Sequence, residues 1–275
     1  MKKTTLVPLT KKQSGVTLVE LMVAMVIGLL LMAGILRVFS SNQQTYRVTE
    51  NLSRVQENGR FAVDILNRFV RKAGFKGNIE TSPEVGFLGG THLTFTFSAD
   101  QVIAGTNSDI YIRYLGGTGT NVTDCIGNVV AAGTEVTNRF YLDTANKELE
   151  CLSTTNVVPQ PLIDNVEDMQ ILYGMALSNG TGHDLRADCY LPAENAAGTS
   201  IVTTSTVTDC VSGLNFNQVV SVRINLLLST PEDNLVSANE KQNYFFDNDP
   251  TPVTAPDKRI YKEFSTTIAL RNRVL

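Results

Sequence analysis

The chain of 275 residues has no tryptophan, only two histidines and only four cysteines. That leaves little material for a metal centre, and the cysteines show none of the Cys-x-x-Cys spacing of metal or redox sites. Charge is scarce too, at 18%, and 23 basic residues face 27 acidic ones for a net charge of −4. No run of Lys or Arg is present to neutralise a row of phosphates, which argues against nucleic acid as a partner. The common catalytic signatures are missing: there is no Gly-x-Ser-x-Gly elbow, no Gly-x-x-x-x-Gly-Lys phosphate loop and no His-Glu-x-x-His. Gly116-Gly-Thr-Gly lacks both a full glycine fingerprint and a following helix, so it reads as a turn. His92 and His183 have no ligand partner at helical spacing and read as structural or solvated. Asp247-Asn-Asp249 lacks the glycine and distal glutamate of a calcium loop and reads as a solvated turn. Asn51-Leu-Ser, Asn121-Val-Thr and Asn179-Gly-Thr match the glycosylation pattern at chance level. No cofactor, metal or enzymatic activity is expected. With 43% apolar residues and only 29 Gly plus Pro, disorder and collagen are excluded as well. The length allows one large domain with an accessory element, or two small domains.

What is present is unevenly distributed. Lys2, Lys3, Lys11 and Lys12 stand in the first fifteen residues without an acid, and the rest of the chain then has 19 basic against 27 acidic groups, a net −8. Val16 to Leu36 is apolar apart from Thr17, Glu20, Gly28 and Gly34, and Arg37 closes it. About 20 such residues span a hydrocarbon core of about 30 Å. The lysines ahead of them predict a cytoplasmic N-terminus, with the bulk of the chain outside. A cleaved secretory signal ending near Val38 and Ser40 would have an overlong apolar run. A plain anchor leaves Glu20 unexplained, since a carboxylate there costs about 2.5–3.5 kcal/mol unless it is partnered. A cut after Gly15 supplies the partner: the new amino group at Val16 of a neighbouring copy could neutralise Glu20.

Lys12-Gln-Ser-Gly15-Val16-Thr-Leu-Val-Glu20-Leu-Met-Val-Ala-Met followed by an apolar helix resembles the class III signal of type IV pilins. The resemblance implies cleavage after Gly15 by a prepilin peptidase, methylation of the new N-terminus at Val16, and a role for Glu20 in assembly. Two features depart from that pattern. Val16 stands where phenylalanine or methionine is usual, and no proline near Arg37 matches the helix-breaking proline of many major pilins.

No proline occurs between Pro8 and Pro83, so one helix is allowed from Val16 to about Ala73. Beyond the membrane, Val48, Leu52, Val55, Gly59, Ala62, Leu66, Phe69 and Ala73 recur at alternating spacings of four and three, an apolar stripe that Phe61 and Ile65 widen. Glu50–Arg54, Arg60–Asp64 and Asp64–Arg68 are i,i+4 pairs on the other faces. Gly74 and Gly77 end the helix, which at 1.5 Å per residue would be a rod of about 87 Å. From about residue 90 the period becomes 2. Leu93, Phe95 and Phe97; Ile110, Ile112 and Tyr114; Met169, Ile171 and Tyr173; and Val220 to Leu228 in alternation all read as half-buried antiparallel strands. Arg139–Asp143 and Lys147–Leu152 read as a hairpin around Thr144-Ala-Asn, and Ile260, Phe264, Ile268 and Leu270 share a face. The expected fold is α+β and pilin-like: a long N-terminal α-helix packed by its outer half on an antiparallel β-sheet, with a disulfide-containing head. The expected divisions are a leader at 1–15, a transmembrane and assembly half-helix at 16–37, an amphipathic half at 38–75, and a β-rich head at 76–275.

Cys125, Cys151, Cys189 and Cys210 all fall in the exported region and read as two disulfides. Of three connectivities, Cys125–Cys151 and Cys189–Cys210 close the shorter loops. The second would brace Ser178 to Gly213, a polar stretch without clear period that reads as an ordered surface loop. The chain is also similar to PilW-type minor pilins, most strongly from Gly15 to Phe75, including Val55-Gln-Glu-Asn-Gly-Arg-Phe-Ala-Val-Asp-Ile-Leu, and again in the head at Val166 to Gly174, Val219 to Leu228 and Thr267 to Arg273. That resemblance implies a low-abundance subunit that primes pilus assembly with other minor pilins and the major pilin. It also implies a place at the pilus tip beneath a large tip adhesin, after residence in the inner membrane with the head in the periplasm. The J-type pseudopilin of type II secretion and a membrane-anchored periplasmic binding module are the alternatives.

Overall fold

The structure is a computed structural model and describes residues 15–77, 86–117, 121–176, 186–193, 216–236, 241–246 and 251–272. It divides into two units, Met1–Thr49 and Glu50–Leu275. Helix α1 runs from Leu18 to Val70, slightly shorter at each end than the sequence pattern predicts. At its start the Thr17 side-chain oxygen accepts the Glu20 N–H at 3.2 Å, which makes Thr17 the cap rather than a helical residue. At its end, N–H groups of Lys72 and Ala73 donate to carbonyls only three residues back, at 2.9 and 3.1 Å, and Gly74 adopts a φ of 77° that turns the chain away.

In the second unit, α1 buries Asn51, Val55, Gly59, Ala62, Leu66, Phe69 and Val70 against strands, and Ala73 just beyond it. Ile65 packs beside them, half-buried. Phe61 does not widen the stripe. It stands about 100° of helix rotation from Ala62 and is 53% exposed. Glu50–Arg54 closes at 2.8 Å, but among the described residues Asp64 pairs with neither Arg60 nor Arg68.

All strand pairings between the named strands are antiparallel. Gly90–His92 (β1) pairs with Phe95–Phe97 (β2). Ile103–Gly105 (β3), Asp109–Leu115 (β4), Glu135–Asp143 (β5), Glu148–Ser153 (β6) and Asn156–Asp164 (β7) form a five-stranded sheet in chain order. Val166–Met175 (β8), Cys189–Pro192 (β9), Val219–Ser229 (β10) and Tyr261–Ala269 (β13) form a second, in the order β13-β10-β8-β9, and Asn243–Tyr244 (β11) pairs with Val253–Thr254 (β12). The single sheet expected from sequence is therefore two larger sheets and two two-stranded pairs. The buried Tyr173 joins the two larger sheets: its hydroxyl donates toward the carbonyls of Thr106 and Asp109, at 3.1 and 3.3 Å.

Helix α1 touches both sheets. Gly59 lies under the Phe264 ring and Asn67 Nδ2 donates to Thr266 Oγ1 at 3.0 Å, both on β13. Phe69 meets Phe140 of β5 with ring centroids 5.5 Å apart.

Three strand readings need correction. Leu93 is not part of a strand; it has a φ of 56° in the turn between β1 and β2. Neither β4 nor β10 is half-buried: Ile110 to Leu115 are all buried, and so is every residue of Val219–Ser229 except Arg223. The β1–β2 hairpin covers the second face of β4, with the Phe95 ring 5.4 Å from Tyr111 and the Phe97 ring 4.6 Å from the Arg113 guanidinium. β13 carries Phe264 and Ile268, with Leu270 just beyond it, toward the main core as expected, and Tyr261 is buried on the opposite face beside Leu227 and Ala255. Within the stretch read as a loop, β9 pairs with β8; the rest of that stretch lies outside the described residues, as do His183, Cys210 and Asp247-Asn-Asp249.

Candidate assembly site

Gly15, Val16 and Thr17 precede α1, and all three are exposed. The apolar side chains from Val16 to Phe39 are 52–74% exposed. An 18-residue window of α1 reaches a mean hydropathy of 2.5 with none of it buried, long and apolar enough to cross a membrane. Burying each such side chain would contribute about 1.5–3 kcal/mol, so this surface is built for lipid or for other apolar helices. Gly28 and Gly34 have no atom within 4 Å of where a Cβ would stand. Nothing among the described residues requires glycine there, whereas a second helix approaching closely would.

Glu20 holds a position that the sequence reading missed. Thr17-Leu-Val-Glu20 is a capping box by spacing, and Thr17 accepts the Glu20 N–H as that motif requires. A carboxylate in the first turn also complements the positive end of the helix dipole. The Thr-x-x-Glu spacing ahead of an apolar run was the available signal. Glu20 thus has a local reason to exist beside any role toward a second subunit.

At the other end of α1 a disulfide-closed loop grips the helix. Cys125 and Cys151 are bonded, with Cα atoms 6.4 Å apart. Lys72 donates to the Thr123 carbonyl at 3.0 Å, and the Tyr114 hydroxyl donates to the same oxygen at 2.8 Å. Burial holds the Lys72 ammonium below the ordinary lysine range, Arg68 adds to this, and Asp124 partly offsets it. Asp124 is itself buried; it accepts N–H groups of Ile126 and Asn128 at 3.1 and 2.7 Å and the Thr155 hydroxyl. Cys189 is also disulfide-bonded, and its expected partner, Cys210, lies outside the described residues.

A family model for the type IV pilus-assembly protein W matches residues 129–272, just over half of the chain. This chain belongs to the PilW family. A second model, the prokaryotic N-terminal methylation motif, matches residues 10–36, which include Gly15, Val16 and Glu20. Among solved structures, the type IV-like pilin TTHA1219 from Thermus thermophilus aligns at 12% identity over 82% of this chain and 98% of that one, with a TM-score of 0.38. No curated protein matches the chain. The chain is therefore a type IV minor pilin of PilW type, with an apolar, membrane-anchoring N-terminal helix. Membership in a pilin family implies processing by a prepilin peptidase and contact with other pilus components.

Arg113, Glu135 and His92 tie parts of this PilW head together. Arg113 is fully buried, ion-paired to Glu135 at 2.7 Å and donating to the carbonyls of Gln101 and Leu88 at 3.1 and 2.7 Å. His92 Nε2 lies 3.3 Å from the same Glu135 carboxylate, so it helps hold the β1–β2 hairpin over β4. Among the described residues, no three His, Cys, Asp or Glu side chains gather as metal ligands. Gly116 makes a bridge to Ala132, where a Cβ would lie 2.0 Å from the Ala131 carbonyl oxygen. Its need for glycine is a close backbone approach.

Proposed function

We infer that this minor pilin helps prime type IV pilus assembly, enters the fibre through α1 after cleavage between Gly15 and Val16, and resides at or near the pilus tip. The observation that carries this reading is a lone acid, Glu20, in the first turn of a helix whose apolar surface is open from Val16 to Phe39. Before cleavage the leader lysines hold the N-terminus in the cytoplasm while the head oxidises in the periplasm. Cleavage frees an α-amino group at Val16, which is then methylated. In lipid, the Glu20 carboxylate attracts the freed ammonium of an adjacent subunit. At low dielectric the attraction is large and desolvation offsets part of it, so its chief effect is to set the axial register between helices. Contacts from Leu18 to Leu36 then replace lipid as the subunit leaves the inner membrane. A β-rich head of about 200 residues is bulky to repeat along a fibre and easily accommodated once at an end, beneath a large tip adhesin and beside other minor pilins.

Mass spectrometry of the chain recovered from sheared pili tests the reading. The expected N-terminal peptide begins with methylated Val16; one that begins at Met1 or near Ser41 overturns it. Glu20→Ala should still insert and be cleaved, yet its recovery in pili should fall at least tenfold. Deleting the gene should abolish surface pili. Loss of secreted enzymes with pili intact would assign the chain to type II secretion instead.

A further inference from the structure

β13 is the outermost strand of its sheet, and its ladder with β10 runs without a shift of register from Ser221↔Ala269 to Ser229↔Tyr261. In an unbroken antiparallel ladder, the backbone groups of alternate residues face opposite edges. The Leu270 N–H donates to the Val220 carbonyl at 2.8 Å and the Thr230 N–H to the Ile260 carbonyl at 2.9 Å, so the even-numbered residues face β10. The odd-numbered residues face outward. At Tyr261 that outward edge is closed by one side chain: its N–H donates to Gln242 Oε1 at 2.7 Å and its carbonyl accepts Gln242 Nε2 at 2.8 Å. Farther along, Ser265, Thr267 and Ala269 are exposed and their outward backbone groups have no partner among the described residues. Three N–H donors and three carbonyl acceptors thus stand in a row. From Ser265 to Ala269 there is no charge, no proline and no bulge.

The five-stranded sheet treats its edges differently. β3 has only three residues, and β7 carries Pro159 and Pro161, which have no N–H to offer. Short strands and prolines are the usual protections against edge-to-edge pairing, and the same chain omits them at β13. The face of β13 that meets α1 is backed by Gly59 and Asn67, so the open edge is held in extended form. Small side chains at Ser265, Thr267 and Ala269 leave its backbone accessible. The geometry points to β-strand addition at this edge: a neighbouring pilus subunit supplies an extended, uncharged segment that pairs with Ser265–Ala269 and continues the sheet. This rests on the reading that the chain is built into the pilus, and it names the surface by which the head is recognised there.

Hydrogen exchange of the full chain, compared between detergent-solubilised subunit and sheared pili, is the test. The outward-facing backbone amides of Ser265, Thr267 and Ala269 should exchange at least tenfold more slowly in the pili, while those of Thr266 and Ile268, already bonded to β10, serve as internal controls. Presence in pili with unchanged exchange there overturns the edge pairing and leaves the fibre reading standing, while absence from pili overturns both. Slow exchange that is already present in the isolated chain and rises with its concentration would assign the edge to a second copy, against the partner stated here. Thr267→Pro removes only an outward N–H, a position where an edge strand tolerates proline, and Thr267→Val retains it. Recovery in pili should fall at least tenfold for the proline variant and stay unchanged for the valine one. Equal recovery of both counts against the proposal. Should the proline variant fail to fold, the exchange comparison decides.

Discussion

At Gly59 a Cβ would stand 2.3 Å from the ring of Phe264, closer than two carbons approach without one of them moving. Alanine is favoured over glycine inside a helix by about 1 kcal/mol, whereas forcing an extra carbon into a packed contact costs about 1–3 kcal/mol. Packing outweighs propensity here, so Gly59→Ala should lower the thermal midpoint. In a Phe264→Ala background the ring is gone and only the propensity gain remains, so the same substitution should raise it. Differential scanning calorimetry of the four proteins checks this change of sign. Gly59 was legible as a member of the apolar stripe, but the reason it is glycine was not, because Phe264 lies 205 positions away in the chain. Glu20 is the reverse case: its position in the first turn follows from Thr17-Leu-Val-Glu20 alone.

The loop from Asn121 to Val130 is joined to the body in two ways. One is covalent, the Cys125–Cys151 bond across a separation of 26 residues. The other is polar, through Lys72 and Tyr114 on the Thr123 carbonyl and through Asp124 on its own loop and Thr155. Closing a loop of that length is worth about 3 kcal/mol. Replacing both Cys125 and Cys151 by serine should therefore cost the head about 3 kcal/mol in a denaturant titration. The polar contacts remain, so the loop should stay docked and hydrogen exchange around Asp124 should stay slow below the unfolding transition. The pairing of these two cysteines was legible from loop length. The two-sided burial of β4 was not, since its period-2 pattern of Ile110, Ile112 and Tyr114 is the same whether or not a hairpin lies over Tyr111 and Arg113.

Across the whole molecule, buried phenols set the alkaline limit. Burial pushes the hydroxyls of Tyr114 and Tyr173 well above the ordinary tyrosine value of 10.0. Below pH 10 both folded and unfolded chains keep these protons, and stability is unaffected. Above it the unfolded chain releases them and the folded one does not, so stability falls as pH rises. The thermal midpoint should therefore decline from about pH 10 upward, and Tyr114→Phe should flatten the decline. At neutral pH the same variant should be less stable by about 1 kcal/mol, because Asn138 and the Thr123 carbonyl lose a partner. Melting curves between pH 7 and 11.5 measure both effects.

By itself the amino-acid sequence determined the long helix, its exposed apolar half, the Thr-x-x-Glu spacing that caps it (although the reading of the sequence passed over that spacing), and most of the strands. Each is a local matter of hydrophobic period, capping spacing or turn residues, and needs no distant partner to be read. Only the tertiary structure decided that the strands divide into two larger sheets and two strand pairs, that Tyr173 ties the larger sheets together, that Phe61 points outward, and that among the described residues the outer edge of β13 is unpaired from Ser265 to Ala269. Those outcomes depend on which strands become neighbours. Backbone hydrogen-bonding capacity is the same for every residue except proline, so nothing in a strand's own sequence says which of its two sides will be satisfied.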